Sequence, residues 1–160
     1  MTEGAVKFIA PLTFEAISGN VVLTSETESW ANDNNHIDIR KWADLFVIAP
    51  ATANTINKLS NGIADNLLTQ TILAYNDKKL IAPAANTVMY KNTITQTSLK
   101  MLKLMNFQVV EPVKKMLACG DEGEGALAEV EDIFYKSAQI LKQDDFWTNR
   151  RVVVTGGGTV

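Results

Sequence analysis

Three short apolar runs, each stopped at a proline, constrain this chain more than any other feature: "DLFVIAPA" (44 to 51), "KKLIAPA" (78 to 84) and "FQVVEP" (107 to 112). Runs of this length without polar alternation read as strands covered on both faces, and proline, which lacks an N–H, suits the end of such a strand. Between them lie segments of helical period. "TANTINKLSNGIADNLLTQTILAY" reads as helix, broken at the Asn61-Gly62 turn signal and restarted behind Asp65 as an N-cap. From about Thr93 to Asn106, Ile94, Met101, Leu102 and Met105 fall at helical spacing, and Val130, Ile133, Phe134, Ala138 and Leu141 mark another amphipathic helix. Strands alternating with helices imply an α/β fold: a doubly wound, mostly parallel sheet with helices on both faces, three layers in the Rossmann or flavodoxin-like manner.

Other stretches are less regular. "AVKFIAPLTFEAISG" (5 to 19) has more apolar residues than one helix face needs, which fits either an interface or a buried internal helix. Residues 113 to 128 carry three glycines and no period, and read as a mobile loop. "KQDDFWTNR" reads as a linker, and "RVVVTGGGTV" as a strand running into glycines.

Size and charge narrow the function. With 160 residues, 46% of them hydrophobic, the chain fits one ordinary domain with a real core. A net charge of -3 with 15 scattered basic residues gives no electrostatic footprint for nucleic acid or an anionic membrane. Neither a spanning helix nor a secretory signal is legible, so a cytoplasmic location is expected. One cysteine, Cys119, and one histidine, His36, leave no disulfide framework and no thiol-rich or histidine-cluster metal site. Chemistry must come from few side chains, from backbone, or from a bound cofactor.

Two strand exits repeat one pattern, "IAPATANT" (48 to 55) and "IAPAANT" (81 to 87). In parallel sheets ligands bind beyond the C-terminal strand ends, where helix N-termini offer N–H groups. Small residues let a flat or anionic ligand approach the backbone, while Asn and Thr either cap the helix or hydrogen-bond the ligand. Both readings stand at this point.

The segments "PATANTINKLSNGIADNLL", "PAANTVMY" and "LACGDEGEGALAE" resemble, in order and spacing, the homo-oligomeric flavin-containing cysteine decarboxylases, with similarity from Met1 through about Leu141. The branch that fits best is the phosphopantothenoylcysteine decarboxylase fused to a phosphopantothenate–cysteine ligase, whose opening strand and glycine loop "RVVVTGGGTV" looks like. The resemblance implies a decarboxylase domain at 1–143, a linker at 144–150 and the start of a ligase domain at 151–160. It implies FMN, which oxidises the substrate at its thiol-bearing carbon to a thioaldehyde that loses carbon dioxide. In this branch the enethiol is then reduced to 4'-phosphopantetheine for coenzyme A synthesis. By the same resemblance His36 is the base for the substrate thiol and Asn86 holds the substrate carboxylate. Cys119, on a glycine-rich flap, donates a proton to the enethiol, and Met89, Ala118 and Gly120 contact substrate. Thr2, Thr52, Ala53, Asn54, Thr55 and Ala84 match flavin-contacting positions.

The sequence departs from the family at Ala85, where methionine is usual, and at Tyr90, where tryptophan is commoner. The strand, phosphate loop, helix and second strand that members carry ahead of the equivalent of Met1 are missing. The resemblance therefore implies that the chain as written holds FMN poorly while the complete protein binds it. Trimers, or dodecamers built from trimers, are implied as assemblies. A peptidyl-cysteine decarboxylase, a flavin prenyltransferase of related fold and a non-catalytic regulatory relative are the alternatives; the ligase-like ending and the retention of His36, Asn86 and Cys119 weigh against them.

Overall fold

The computed structural model describes residues 1–31, 35–116, 122–143 and 150–153. Its centre is a parallel sheet of β1 (Phe46–Ala51), β2 (Lys79–Pro83) and β3 (Phe107–Val109), in that spatial order. Ile48 lies opposite Ile81, and Ile81 opposite Val109. The middle strand β2 is buried at every position, as its unbroken apolar run requires, because helices cover both faces of a parallel strand.

Two helical crossovers make the sheet parallel. Helices α4 (Ala53–Ser60) and α5 (Leu67–Ala74) join β1 to β2, and α6 (Thr87–Lys91) and α7 (Thr93–Leu104) join β2 to β3. The core gathers Ile48, Ala51, Ile56, Leu59, Ile72, Ile81, Leu99, Leu102 and Phe107. Each of its large side chains contributes about 1.5–3 kcal/mol by leaving water. Helix α3 (His36–Trp42) precedes β1 and packs on α5, and its residue Arg40 donates from Nη1 to the Ala74 carbonyl at 3.2 Å.

The three expected sheet strands and their crossovers are present, with local corrections; Arg151–Val153, the described part of the strand expected at the C-terminal end, is not in a strand. The helix after Gly62 starts from Asn66, not Asp65: Asn66 and Thr69 cap each other reciprocally, while the Asp65 carboxylate is engaged by Lys58 Nζ at 2.5 Å. On α7 the buried face is Thr95, Ser98, Leu99 and Leu102, and Ile94, Met101 and Met105 are largely exposed. The 5–19 segment is two short helices, α1 (Glu3–Val6) and α2 (Pro11–Ser18), because Pro11 takes the first position of a new helix. Neither buries a residue, and Phe8, Leu12 and Ile17 are 90%, 71% and 80% exposed. That removes the buried-internal-helix alternative.

The described parts of 113 to 128, residues 113–116 and 122–128, are not wholly irregular. They contain an antiparallel pair, β4 (Val113–Met116) and β5 (Glu122–Ala126). Helix α8 (Val130–Leu141) follows, with Ile140 buried and Val130, Phe134, Tyr135 and Leu141 exposed. Of the linker expected at 144–150, residues 144–149 lie outside the described residues, as do the residues from 154 onward. Among the described residues, no helix is long and apolar enough to cross a membrane.

Candidate functional site

The two repeated strand exits lie against each other. Ala51 and Pro83 are register partners across β1 and β2, and the Ala84 N–H donates to the Ala51 carbonyl at 2.8 Å. At the first exit Thr52, in extended backbone, caps α4: its Oγ1 accepts from the Thr55 N–H at 3.3 Å and lies 3.2 Å from Thr55 Oγ1. Ala53 turns into the core while Thr52 and Asn54 face solvent. At the second exit Asn86 caps α6, its Oδ1 accepting from the Val88 N–H at 2.9 Å. Ala84 and Ala85 are half-buried there, and Met89 is exposed.

Capping and ligand recognition are thus compatible at both exits. An amide that caps through its oxygen directs its Nδ2 group, a donor, to the other side. A hydroxyl that accepts from one N–H retains an O–H to donate.

His36 opens α3, and its hydrogen-bond and ring contacts among the described residues are with Glu28 and Trp30, not with either exit. Asn35 fixes that start, its Oδ1 accepting from the Ile37 and Asp38 N–H groups at 3.0 and 3.2 Å, while its Nδ2 donates to Asp38 Oδ2 at 2.5 Å. The His36 Nδ1 lies 3.3 Å from Glu28 Oε1. The Trp30 ring meets the imidazole edge-on at a centroid distance of 5.4 Å. With Nδ1 donating to the carboxylate, Nε2 carries the lone pair that can take a proton. Thr2 caps α1 through Oγ1, which accepts from the Ala5 N–H at 3.2 Å, and it has no hydrogen bond to either exit among the described residues.

The β4–β5 hairpin reaches the second exit through glycines. The Ala85 N–H donates to the Gly125 carbonyl at 2.9 Å. A Cβ at Gly125, whose φ is +139°, would stand 2.2 Å from the Ala85 carbonyl oxygen, and one at Gly123 would stand 2.0 Å from Thr87 Oγ1. Only glycine allows this approach. Lys91 and Glu124 add an ion pair at 2.9 Å, and the lysine holds the carboxyl below its usual range. Ala118, Cys119 and Gly120 lie outside the described residues.

Sequence reasoning missed a polar chain behind the second exit. The Tyr90 hydroxyl donates to Glu111 Oε2 at 2.9 Å, and Lys103 Nζ donates to Glu111 Oε1 at 2.8 Å. Burial first, then the Glu111 acceptor, push the Tyr90 hydroxyl up to about 12. Burial by itself would raise Glu111, but the Lys103 ammonium and the Tyr90 hydroxyl together hold it below the usual carboxylate range. The available signal was an acid near the end of a predicted strand, following a lysine in the last turn of the preceding helix.

Two open depressions of the surface lie elsewhere. One of about 770 Å³, lined by Arg40, Asp44, Tyr75 and Asp77 among others, and one of about 460 Å³, lined by Lys79, Lys103 and Phe107 among others, flank the starts of β2 and β3. Neither includes a predicted site residue. Lys79 is buried between them, donating to the Tyr75 carbonyl at 3.2 Å with its Nζ 5.1 Å from the Phe107 ring centroid, and burial lowers its pKa.

The donors at the exits are neutral hydroxyls and amides set among alanines, and no group of three or more His, Cys, Asp or Glu among the described residues could hold a metal. That set fits the flat, polar-edged ring of a flavin: Ala84 and Ala85 give close approach, and Thr52, Asn54 and Thr55 offer hydrogen bonds.

A profile of the Flavoprotein family matches residues 1–142. The chain is 39% identical over 159 residues to the coenzyme A biosynthesis bifunctional protein CoaBC of Borreliella burgdorferi, covering 99% of this chain and 41% of that protein. It is 44% identical over 144 residues to a probable phosphopantothenoylcysteine decarboxylase of Streptococcus mutans, covering 88% of this chain and 80% of that one. Among solved structures, a PPC decarboxylase mutant complexed with pantothenoylaminoethenethiol superposes with a TM-score of 0.81 at 34% identity, covering 89% of this chain and 81% of that one. The chain therefore spans about two fifths of the bifunctional relative and most of the single-domain ones, and it belongs to the Flavoprotein family, among the flavin-containing cysteine decarboxylases.

Proposed function

We propose that this chain is the decarboxylase part of a cytoplasmic bifunctional enzyme that turns 4'-phosphopantothenoylcysteine into 4'-phosphopantetheine in coenzyme A biosynthesis, its other activity being the phosphopantothenate–cysteine ligase. The observation that carries the reading is the pair of adjoining exits, bonded through Ala84 and Ala51 and capped by Thr52 and Asn86. Proteins named for this decarboxylation are among those to which the chain is similar.

Thr52, Ala53, Asn54, Thr55 and Ala84 hold FMN, with Thr2 a further contact. When bound, FMN would supply the two-electron redox chemistry at the thiol-bearing carbon that decarboxylation and the later reduction require. His36 Nε2 takes the thiol proton while Glu28 keeps the ring oriented. Asn86 donates from Nδ2 to the substrate carboxylate and, with Met89, fixes which bond faces the flavin site. Ala118 and Gly120 are substrate-binding positions, and Cys119 gives the proton that completes the enethiol reduction.

The working form is a trimer, or a dodecamer of trimers. Supporting this are Phe8, between α1 and α2, and Leu12 and Ile17 on α2, large apolar side chains left exposed in the single chain. The intact protein is expected to be yellow, with oxidised-flavin absorption bands, and to release carbon dioxide from the substrate. His36→Asn is expected to keep the flavin and lose turnover by about 10²–10⁴-fold. A colourless protein that takes up no FMN, or a His36→Asn variant with undiminished turnover, contradicts the reading.

A further inference from the structure

Helix α6, which Asn86 caps, is five residues long and buries none of them. A helix of that length does not hold itself in water. Tyr90 fastens it from four directions. Its ring packs against the core. Its N–H donates to the Asn86 carbonyl at 2.8 Å. Its own carbonyl accepts from Gln96 Nε2 at 2.7 Å. Its hydroxyl donates to Glu111 Oε2 at 2.9 Å, and Glu111 is in turn held by Lys103. The last turn of α7, the exit of β3 and α6 are thereby joined by three side chains, ending on the residue bonded to the Asn86 backbone.

Resting on the decarboxylase reading, we propose that Tyr90 is a positioning residue: anchored by Glu111 and Lys103, it fixes Asn86 in the orientation that receives the substrate carboxylate. Tyr90 touches the substrate only through this effect on Asn86. Its hydroxyl remains protonated through neutral pH, so the anchor is a constant of the site.

Tyr90→Phe in the intact protein keeps the ring and removes the hydroxyl. Amide hydrogen exchange at residues 88 and 90, whose N–H groups bond Asn86 Oδ1 and O, is expected to quicken about fivefold, the value of one net hydrogen bond, with the Leu99 and Leu102 amides unchanged. Calorimetry should show the carboxylate-bearing thiol weakened by a similar factor and its decarboxylated analogue unaffected, the loss falling on KM and not on kcat. Glu111→Gln, which still accepts from the hydroxyl, should retain most of the affinity. Unchanged exchange at 88 and 90, or equal weakening of both thiols, overturns the proposal. A wild-type protein that binds neither thiol overturns the decarboxylase reading and the carboxylate role with it, while the exchange rates decide the anchoring on their own.

Discussion

The two strand exits start from nearly the same sequence and end in different mechanical states. After Thr52 the chain enters an eight-residue helix with Ala53, Ile56 and Leu59 buried, so the first exit is part of the core. After Asn86 it enters a five-residue helix with no buried residue, held by Tyr90, by the Lys91–Glu124 pair and by the Gly125 carbonyl. The difference teaches that an N-cap motif specifies the turn and not the anchorage; the apolar spacing after it decides that. A rigid exit suits a resident cofactor, and an exit pinned by replaceable polar contacts suits a substrate that enters and leaves.

The widest gap between the exits should come from Leu59→Ala. Emptying that buried position is expected to cost about 2–5 kcal/mol of global stability in urea unfolding, with flavin binding failing in parallel. A loss below about 1 kcal/mol would mean that the first exit is not part of the core. At the second exit Gly125→Ala should act locally. The added methyl meets the Ala85 carbonyl, lifts β5 and weakens substrate binding about tenfold, an energy of about 1–3 kcal/mol for such strain. Flavin affinity should hold, and equal loss of both ligands would merge the two exits into one unit.

The smallest effect is a pH dependence. Because Glu111 is depressed in the folded protein, its contribution is present above the ordinary carboxylate range and fades as pH falls through the lowered value. Wild type should exceed Glu111→Gln in stability at neutral pH and converge with it in acid. Convergence at high pH instead would reverse the sign and refute the Lys103–Glu111–Tyr90 chain. The group is solvent-exposed, so added salt should shrink the difference.

The sheet was legible because Leu80, Ile81 and Ala82 sit in a strand covered on both faces, where burial leaves no polar position to confuse the pattern. The exits were legible because Thr and Asn cap helices by local bonds that sequence records directly. The α7 face was misread since Thr95 and Ser98, though buried, score as polar, while Ile94 and Met101 supplied an equally periodic apolar face that is exposed. The hairpin was missed for a similar reason: Gly123 and Gly125 have no side chain to show a period, and the need for them lies in Thr87 and Ala85, far away in sequence. Long-range contacts of the Tyr90–Glu111 kind carry no local signature at all.

The most direct test of the central claim separates capping from recognition at one residue. Aspartate caps as well as asparagine but presents an anion where the amide presents a donor. Asn86→Asp is therefore expected to unfold within about 0.5 kcal/mol of wild type and keep its flavin. Carbon dioxide release from carboxyl-labelled 4'-phosphopantothenoylcysteine should fall by about 10²-fold or more. Labelled gas released by that variant at the wild-type rate would show that the amide serves the helix alone, and that the crevice between the two exits is not where the carboxylate is read.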